Sequence, residues 1–149
     1  MLKLALEEDR EDFVRMCKNF FDKSPFKGMT FARTGIDAVF STHLVDKTQA
    51  IVILYNVDGK NVGMIAGIAS SPLFAEEAIA SELAWWVDED YRNNRESSKL
   101  IYAFEDWAVR VGAYGSSLAS IKGFSPEGVI KFYERLGYVE QENNYLKVF

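Results

Sequence analysis

A run of β-forming sequence in the middle of the chain restricts the fold most. Residues 50–70, AIVILYNVDGKNVGMIAGIAS, form two runs rich in β-branched residues around Asp58-Gly59. Asp-Gly between two such runs is among the strongest short-range signals for a β-hairpin, since the turn requires positive φ angles. A further run of this type, ELAWWVD (82–88), follows after the connection SPLFAEEAIA (71–80). The segment therefore predicts a hairpin followed by another strand.

Helical periodicity precedes this β-rich segment. LKLAL (2–6) is typical of a short strand, and Asp9 stands where an N-cap would begin a first helix. Residues 24–35 are rich in turn formers and predict a loop before a second helix. The apolar positions at helical spacing are Phe13, Val14, Cys17, Phe20 and Phe21 in the first helix, and Ile36, Val39, Phe40, His43 and Leu44 in the second.

The second half of the chain alternates between helical and β-strand periodicity. A helix is predicted from about Ser97 to Val111 with a stop at Gly112, and a strand over SSLASIK (116–122). Ser125-Pro126-Glu127 has the residue types of a helix start, and that helix is expected to end at Gly137. The tail 138–149 predicts two strands joined at Asn143-Asn144. The order βααβββαβαββ predicts an α/β fold on a mixed sheet.

Composition excludes several classes of protein. The 149 residues fit one domain, 1–149, and a hydrophobic share of 48% argues against disorder. A net charge of −5 argues against a nucleic-acid partner and favours a cationic substrate. No apolar run reaches the ~20 residues of a membrane helix, and MLKLALEEDR turns acidic too early for a signal peptide. The single cysteine, Cys17, predicts a cytoplasmic location.

The segment 82–108 has the pattern of an anion site. A strand leads through the polar loop DEDYRNNRES into a helix, whose N-terminus offers unpaired N–H groups and about half a positive charge. Arg92 and Arg95 flank that start and suit phosphate oxygens. Ion pairing of these two arginines with the nearby acids of a solvated loop is the alternative interpretation.

Two sequence blocks resemble the GNAT superfamily of acyl-CoA-dependent N-acyltransferases. In that family Arg-x-x-Gly-x-Gly/Ala opens a long helix after the fourth strand, and the same register here reads RNNRES (92–97). The second block is the strand SSLASIK and a helix ending in FYERLGY (132–138), similar to the family's tyrosine-x-x-x-glycine-aromatic pattern. The resemblance covers most of the chain and is greatest to the small members encoded by tailed phages, which would place the protein in a host cytoplasm.

The resemblance implies a single-domain GNAT fold with a mixed central sheet of six to seven strands and helices on both faces. It also implies acetyl-CoA as co-substrate without a metal and a small-molecule or peptide amine as acceptor, and it is compatible with a homodimer. Arg95 and Ser97 stand where the family has glycine, so a catalytically silent acyl-CoA-binding or protein-interaction module remains an alternative. The residues implied in cofactor binding are Trp85, Trp86, Val87, Arg92, Asn93, Asn94, Arg95, Glu96, Ser97 and Ser98.

Two residues receive catalytic roles from the resemblance. Glu82 matches a glutamate often found in related enzymes and is expected to take the proton of the amine, with a surface carboxylate as the alternative. Tyr133 matches the family's tyrosine in the last helix and is expected to protonate the departing CoA thiolate, with core packing as the alternative. Because no activated cysteine or serine nucleophile is evident, we expect direct transfer.

Four other conspicuous side chains are interpreted structurally. His43 is the only histidine and has no partner at metal spacing, and Cys17 lies on an apolar helix face, so both are expected in the core. Strand alternation places Trp85 and Trp86 on opposite faces, one of them bordering the cleft.

Overall fold

A computed structural model describes residues 1–92 and 95–149. The strands are β1 (Leu2–Leu4), β2 (Ala50–Val57), β3 (Lys60–Ser70), β4 (Ile79–Val87) and β5 (Gly115–Ser117), and the helices are α1 (Arg10–Lys23), α2 (Thr34–Val45), α3 (Arg95–Arg110) and α4 (Val129–Arg135). Short 3₁₀ turns at Glu7–Asp9, Pro25–Gly28 and Glu89–Tyr91 connect some of these elements. The α/β class and the order of the elements as far as the last helix are confirmed.

The five strands form one mixed sheet in the order β1-β2-β3-β4-β5. Neighbouring strands are antiparallel except β4 and β5, which run parallel. The predicted six to seven strands are therefore wrong for the described residues, which form five. β5 extends over three residues instead of the predicted seven of SSLASIK.

The predicted hairpin is present as β2 and β3. Asp58 and Gly59 connect the strands with φ angles of 49° and 83°, which is the backbone of a turn with two positive φ values. Residues 50–55 of β2 are all buried, as expected for a strand that is covered on both faces.

Helices cover both faces of the sheet, as predicted. On one face α1 and α2 pack together, with the ring centroids of Phe13 and Phe40 5.4 Å apart. On the other face α3 lies so close to β3 that a Cβ atom at Gly67 would be 2.5 Å from Phe104 Cε2. The glycine at this position is therefore required by the close approach of the helix.

The C-terminal part differs most from the prediction. The last helix begins at Val129 and not at Ser125, because Gly128 has a φ of 84° and Ser125 Oγ instead accepts a hydrogen bond from the Ile121 N–H. Residues 138–149 contain no strand, and their side chains from residue 139 onward are exposed. The alternating pattern of the tail thus buries no apolar face, so the two tail strands were wrongly predicted.

The chain forms two compact units, Met1–Ala119 and Ser120–Phe149. The first contains the complete sheet with α1, α2 and α3, and the second contains α4 and the tail. The assignment of residues 1–149 to one domain remains a prediction. Within the described ranges, no helix has the length and apolar character needed to cross a membrane.

Candidate active site

An irregularity in β4 marks the centre of the candidate site. Ala66 of β3 pairs with Ala84, but the next residue, Gly67, pairs with Glu82. Leu83 is therefore an extra residue in β4, and the shift is a β-bulge. Bulges bend a strand, leave one residue outside the regular ladder and are common beside active sites.

The same part of β4 is also where its pairing with the neighbouring strand β5 ends. The parallel pairing of β4 with β5 ends at Ser81 and Ser117. Glu82 is the next residue of β4, and its carboxylate Oε2 accepts a hydrogen bond from the Ala119 N–H at 3.1 Å. Glu82 therefore lies where the two strands part, linked to the chain segment that leaves β5.

The environment of Glu82 alters its acidity. Its side chain is half-buried, and burial raises the pKa of the carboxyl group from its ordinary 4.5 to about 7, opposed by the hydrogen bond from Ala119. A carboxyl group with a pKa near 7 can accept a proton and release it again at neutral pH. Of the predicted site residues, Glu82 has the chemistry of a general base.

Trp86 and Arg92 meet at the end of β4. Trp86 is 5% exposed, and its indole N–H donates to Asp88 Oδ1 at 2.9 Å. The Arg92 guanidinium lies 4.6 Å from the Trp86 ring centroid, and its Nε donates to the Val87 carbonyl at 2.7 Å. Trp86 is thus packed, and Arg92 folds back onto the strand from which its loop departs.

Trp85 pairs with Ile65, and Trp86 with Met64, so alternation places the two tryptophans on opposite faces of the sheet as predicted. Trp85 is half-buried, and its Nε1 is enclosed without a hydrogen-bond partner among the described residues. A buried donor without a partner costs about 1–3 kcal/mol, so this indole is a group that a ligand would satisfy.

The start of α3 has both polar and charged side chains. Arg95 is its first residue and is exposed, whereas Ser97 is buried. Ser98 Oγ donates to the Arg95 carbonyl at 3.2 Å, and Glu96 forms an ion pair with Lys99 that lowers the Glu96 pKa. The predicted contacts at Asn93 and Asn94 lie outside the described residues.

Tyr133 belongs to the second unit. It lies in α4 and is buried, with its ring centroid 5.9 Å from that of Tyr138 and 6.2 Å from that of Phe132. Its proposed role as an acid remains a prediction that depends on the family resemblance.

His43 has a structural role. It is fully buried in α2, where Nδ1 accepts a hydrogen bond from the Val52 N–H at 3.1 Å and Nε2 donates to the Ala5 carbonyl at 3.0 Å. Burial lowers its pKa, which favours the neutral ring that this arrangement requires. The structural interpretation of His43 is confirmed.

Cys17 is half-buried, and burial raises the pKa of its thiol to about 12, which leaves it un-ionised and a poor nucleophile. Within residues 1–92 and 95–149, no group of three or more His, Cys, Asp or Glu side chains is placed to hold a metal ion.

Sequence reasoning missed the partners of Asp88. Arg15 Nη1 of α1 donates to Asp88 Oδ2 at 3.2 Å, and its Nη2 donates to the Asn61 carbonyl at 2.7 Å. The chain separates Arg15 from Asp88 by 73 residues, and no local pattern pairs them. Only the strand register, which places the end of β4 beside the start of β3, could have indicated this contact.

Comparison with known proteins identifies the family. The model of the acetyltransferase (GNAT) family matches residues 13–138. The fold resembles a transcriptional regulator from Bacillus halodurans C-125, with TM-score 0.75, 18% identity, and coverage of 100% of this chain and 99% of that one. It also resembles a ribosomal-protein-alanine N-acetyltransferase from Brucella melitensis biovar Abortus 2308, with TM-score 0.70, 18% identity and coverage of 100% and 99%. The aminoglycoside acetyltransferase meta-AAC0020 from an uncultured soil metagenomic sample gives TM-score 0.74, 16% identity and coverage of 100% and 95%.

No curated protein matches the chain significantly. The likeness to the solved structures concerns the fold alone, because all three identities are low. The family match covers most of the chain and includes β4, the start of α3 and α4. The chain therefore belongs to the acetyltransferase (GNAT) family.

Proposed function

We propose that this protein transfers an acetyl group from acetyl-CoA directly to an amine. The observation that carries the proposal is Glu82, a half-buried carboxyl group with a pKa of about 7, next to a bulge and at the parting of β4 and β5. Family membership supports acetyl transfer in general, and Glu82 supplies a group suited to the proton transfer that an amine nucleophile requires.

The described residues fit acetyl-CoA as co-substrate. Trp85 Nε1 is a buried donor without a partner among them, and β4 has no β5 partner beyond Ser81. Arg95 and the N–H groups at the start of α3 suit a pyrophosphate, since a helix N-terminus attracts anions. We propose the cofactor contacts within residues 85–87 and 92–98, with Trp85 and Arg95 as the two best-supported positions.

Acetyl-CoA supplies a thioester as the acetyl donor. Glu82, when ionised, takes a proton from the attacking amine. A backbone N–H beside the bulge at Leu83 is a candidate donor to the oxygen on which negative charge develops, and one such donor is typically worth ~2.7–4 kcal/mol. Tyr133 is the candidate acid for the departing thiolate, as the family resemblance implies.

The acceptor is proposed to be a small-molecule or peptide amine. Similar folds occur in a ribosomal-protein-alanine N-acetyltransferase and an aminoglycoside acetyltransferase, which are named for acceptors of these two kinds. The net charge of −5 favours a cationic acceptor in general. A cytoplasmic location is proposed with it, and the likeness to phage members remains a prediction.

The test is release of free thiol from acetyl-CoA with a panel of amines that includes N-terminal peptides, lysine, polyamines and aminoglycosides. We expect release with at least one amine, and a pH profile of kcat/KM that rises through pH 7 as Glu82 ionises. Glu82→Gln should lower kcat by about 10²–10⁴, whereas the exposed control Glu76→Gln should leave it unchanged.

Two results would overturn the proposal in different ways. Binding of CoA without thiol release from any amine would favour the silent binding module. Full activity in Glu82→Gln would show that another group removes the proton.

A further inference from the structure

The segment that follows β4, residues 87–92, is fastened to the sheet by its own arginine. Arg92 is the last described residue before α3, and its Nε donates to the carbonyl of Val87, the last residue of β4, at 2.7 Å. This bond ties the two ends of the segment 87–92 together. The same guanidinium covers the Trp86 ring at 4.6 Å.

Trp86 is itself held in place. Its indole N–H donates to Asp88 Oδ1 at 2.9 Å, and its ring is 5% exposed. A tryptophan ring that is packed and hydrogen-bonded presents a fixed face, which makes it a rigid support for a stacked guanidinium.

Asp88 is held from the other side by α1. Arg15 donates to both carboxylate oxygens of Asp88, at 3.4 and 3.2 Å, and to the Asn61 carbonyl of β3 at 2.7 Å. Contacts therefore run continuously from α1 through the end of β4 to Arg92. We name these four residues the loop clamp: Arg15, Asp88, Trp86 and Arg92.

A second ion pair joins α1 to the same segment. Lys23, the last residue of α1, pairs with Glu89 in the 3₁₀ turn that follows Asp88. Both side chains are more than half exposed, so this pair contributes little stability by itself. The segment is therefore anchored on α1 at two successive residues, Asp88 and Glu89.

We propose that Arg92 is a positioning residue, which acts through the loop clamp to hold segment 87–92 against the sheet and thereby supports binding of the CoA pyrophosphate at the start of α3. This inference rests on the proposed function, which places the pyrophosphate at the start of α3. It differs from the expectation that Arg92 serves mainly as a positive charge for phosphate.

A phosphate-binding role and a clamp role of Arg92 differ in whether lysine can replace arginine. A phosphate-binding charge is largely kept when arginine is replaced by lysine. A clamp is not, because lysine lacks both the Nε donor beside a carbonyl and the planar group that stacks on an indole.

Asp88→Ala is an independent test, because the two roles predict opposite changes in CoA affinity. If charge alone mattered, removing this carboxylate near an anion site would strengthen CoA binding, because like charges repel. If the clamp matters, Asp88→Ala should weaken CoA binding, because Trp86 and Arg15 both lose their shared partner.

The experiment measures the Kd of CoA by calorimetry and the KM and kcat of acetyl-CoA turnover for the wild type and four variants. We expect Arg92→Lys and Arg92→Ala to raise Kd and KM alike by about tenfold or more, with kcat at saturation unchanged. Asp88→Ala should raise Kd by several-fold. Arg110→Lys, an exposed substitution at the far end of α3, should leave Kd at the wild-type value.

Wild-type affinity in Arg92→Lys combined with a loss in Arg92→Ala would overturn the clamp and establish the charge role. Tighter CoA binding in Asp88→Ala would overturn it as well.

Failure of the wild type to bind CoA would instead contradict the proposed function. The clamp is then tested in the free protein by urea unfolding of Trp86→Leu, Arg92→Ala and the double variant. Shifts of the midpoint that are less than additive support the contact, and fully additive shifts overturn it.

Discussion

Replacing Glu82 by Gln should stabilise the protein, and the gain should depend on pH. The substitution keeps the size of the side chain and an oxygen that can accept the hydrogen bond from the Ala119 N–H. It removes only the ionisation, which burial opposes in the folded protein. The expected gain is therefore the free energy that the folded state loses when Glu82 ionises.

The magnitude follows from the pKa. Glu82 ionises at its ordinary 4.5 in the unfolded chain and at about 7 in the folded protein. Between these values the folded state binds more protons than the unfolded state, so the free energy of unfolding falls as the pH rises from 4.5 to 7. At about 1.36 kcal/mol per pKa unit the loss reaches about 3 kcal/mol above pH 7.

The assay is urea unfolding of the wild type and Glu82→Gln at pH 5, 6, 7 and 8. With a slope of about 2 kcal/mol per molar urea, the midpoint difference should grow from about 0.4 M at pH 5 to about 1.5 M at pH 8. Titration of His43 affects both proteins equally and is removed by the subtraction. Glu76→Gln, an exposed substitution, is the control for the change of residue type itself. A Glu82→Gln difference that stays constant with pH would refute the reasoning that burial perturbs this carboxyl group.

Three further outcomes test other parts of the structure. Gly67→Ala should cost about 1–3 kcal/mol of unfolding free energy, because the new Cβ would lie 2.6 Å from the Ser81 carbonyl oxygen. The control Gly35→Ala meets nothing within 4 Å and should stabilise α2 slightly. Equal effects of the two substitutions in thermal unfolding would contradict the close packing of α3. His43→Leu should cost about 2–5 kcal/mol, since it leaves the Val52 N–H and the Ala5 carbonyl unpaired. Because burial lowers the His43 pKa, the His43 contribution to wild-type stability should decline as the pH falls below 6.5, opposite to the Glu82 contribution, and it should be absent in His43→Leu. Trp85→Phe should raise the KM of acetyl-CoA up to about tenfold at unchanged kcat, since it removes one hydrogen-bond donor. An unchanged KM would show that the cofactor does not bind this indole N–H.

Local chemistry explains why much of the fold could be predicted. The Asp58-Gly59 turn and the buried run of β2 depend on neighbouring residues, and both appeared where the sequence indicated. Gly112, the predicted stop of α3, has a φ of 74°, the kind of signal that a short window contains. Phe40 and His43 of α2 were likewise placed in the core by helical spacing.

The errors arise where the outcome depends on tertiary partners. The alternating pattern of residues 138–149 resembles strands, but a strand also needs a neighbour, and the sequence contains no sign of one. Ser125-Pro126-Glu127 has the composition of a helix start, yet the left-handed Gly128 delays α4 to Val129. Similarly, the bulge at Leu83 arises from the register between β3 and β4, and no residue type in β4 predicts that register.

The candidate site shows the same difference between what local chemistry predicts and what depends on tertiary contacts. Glu82 could be named from a family pattern, but its raised pKa depends on burial and on the Ala119 N–H, a residue far along the chain. Arg92 could be named as a cation at a helix start, but its stack on Trp86 and its bond to Val87 depend on how the loop folds back. Residue type thus indicated the chemistry, and the fold determined how each side chain is used.

The contrast between β4 and the rest of the core supports the proposed function. His43 is buried with both ring nitrogens paired, as stability requires of a polar group in the core. Within four residues of β4, the chain instead has a desolvated carboxyl group at Glu82, an extra residue at Leu83 and an unpartnered buried indole at Trp85. The desolvated carboxyl group and the unpartnered indole each lower the stability of the free protein, and neither is fully compensated by a neighbour among the described residues. Such departures from local rules concentrate at functional sites, where a bound substrate supplies the missing interactions. These uncompensated groups in β4 therefore support the proposal that substrates bind beside Glu82.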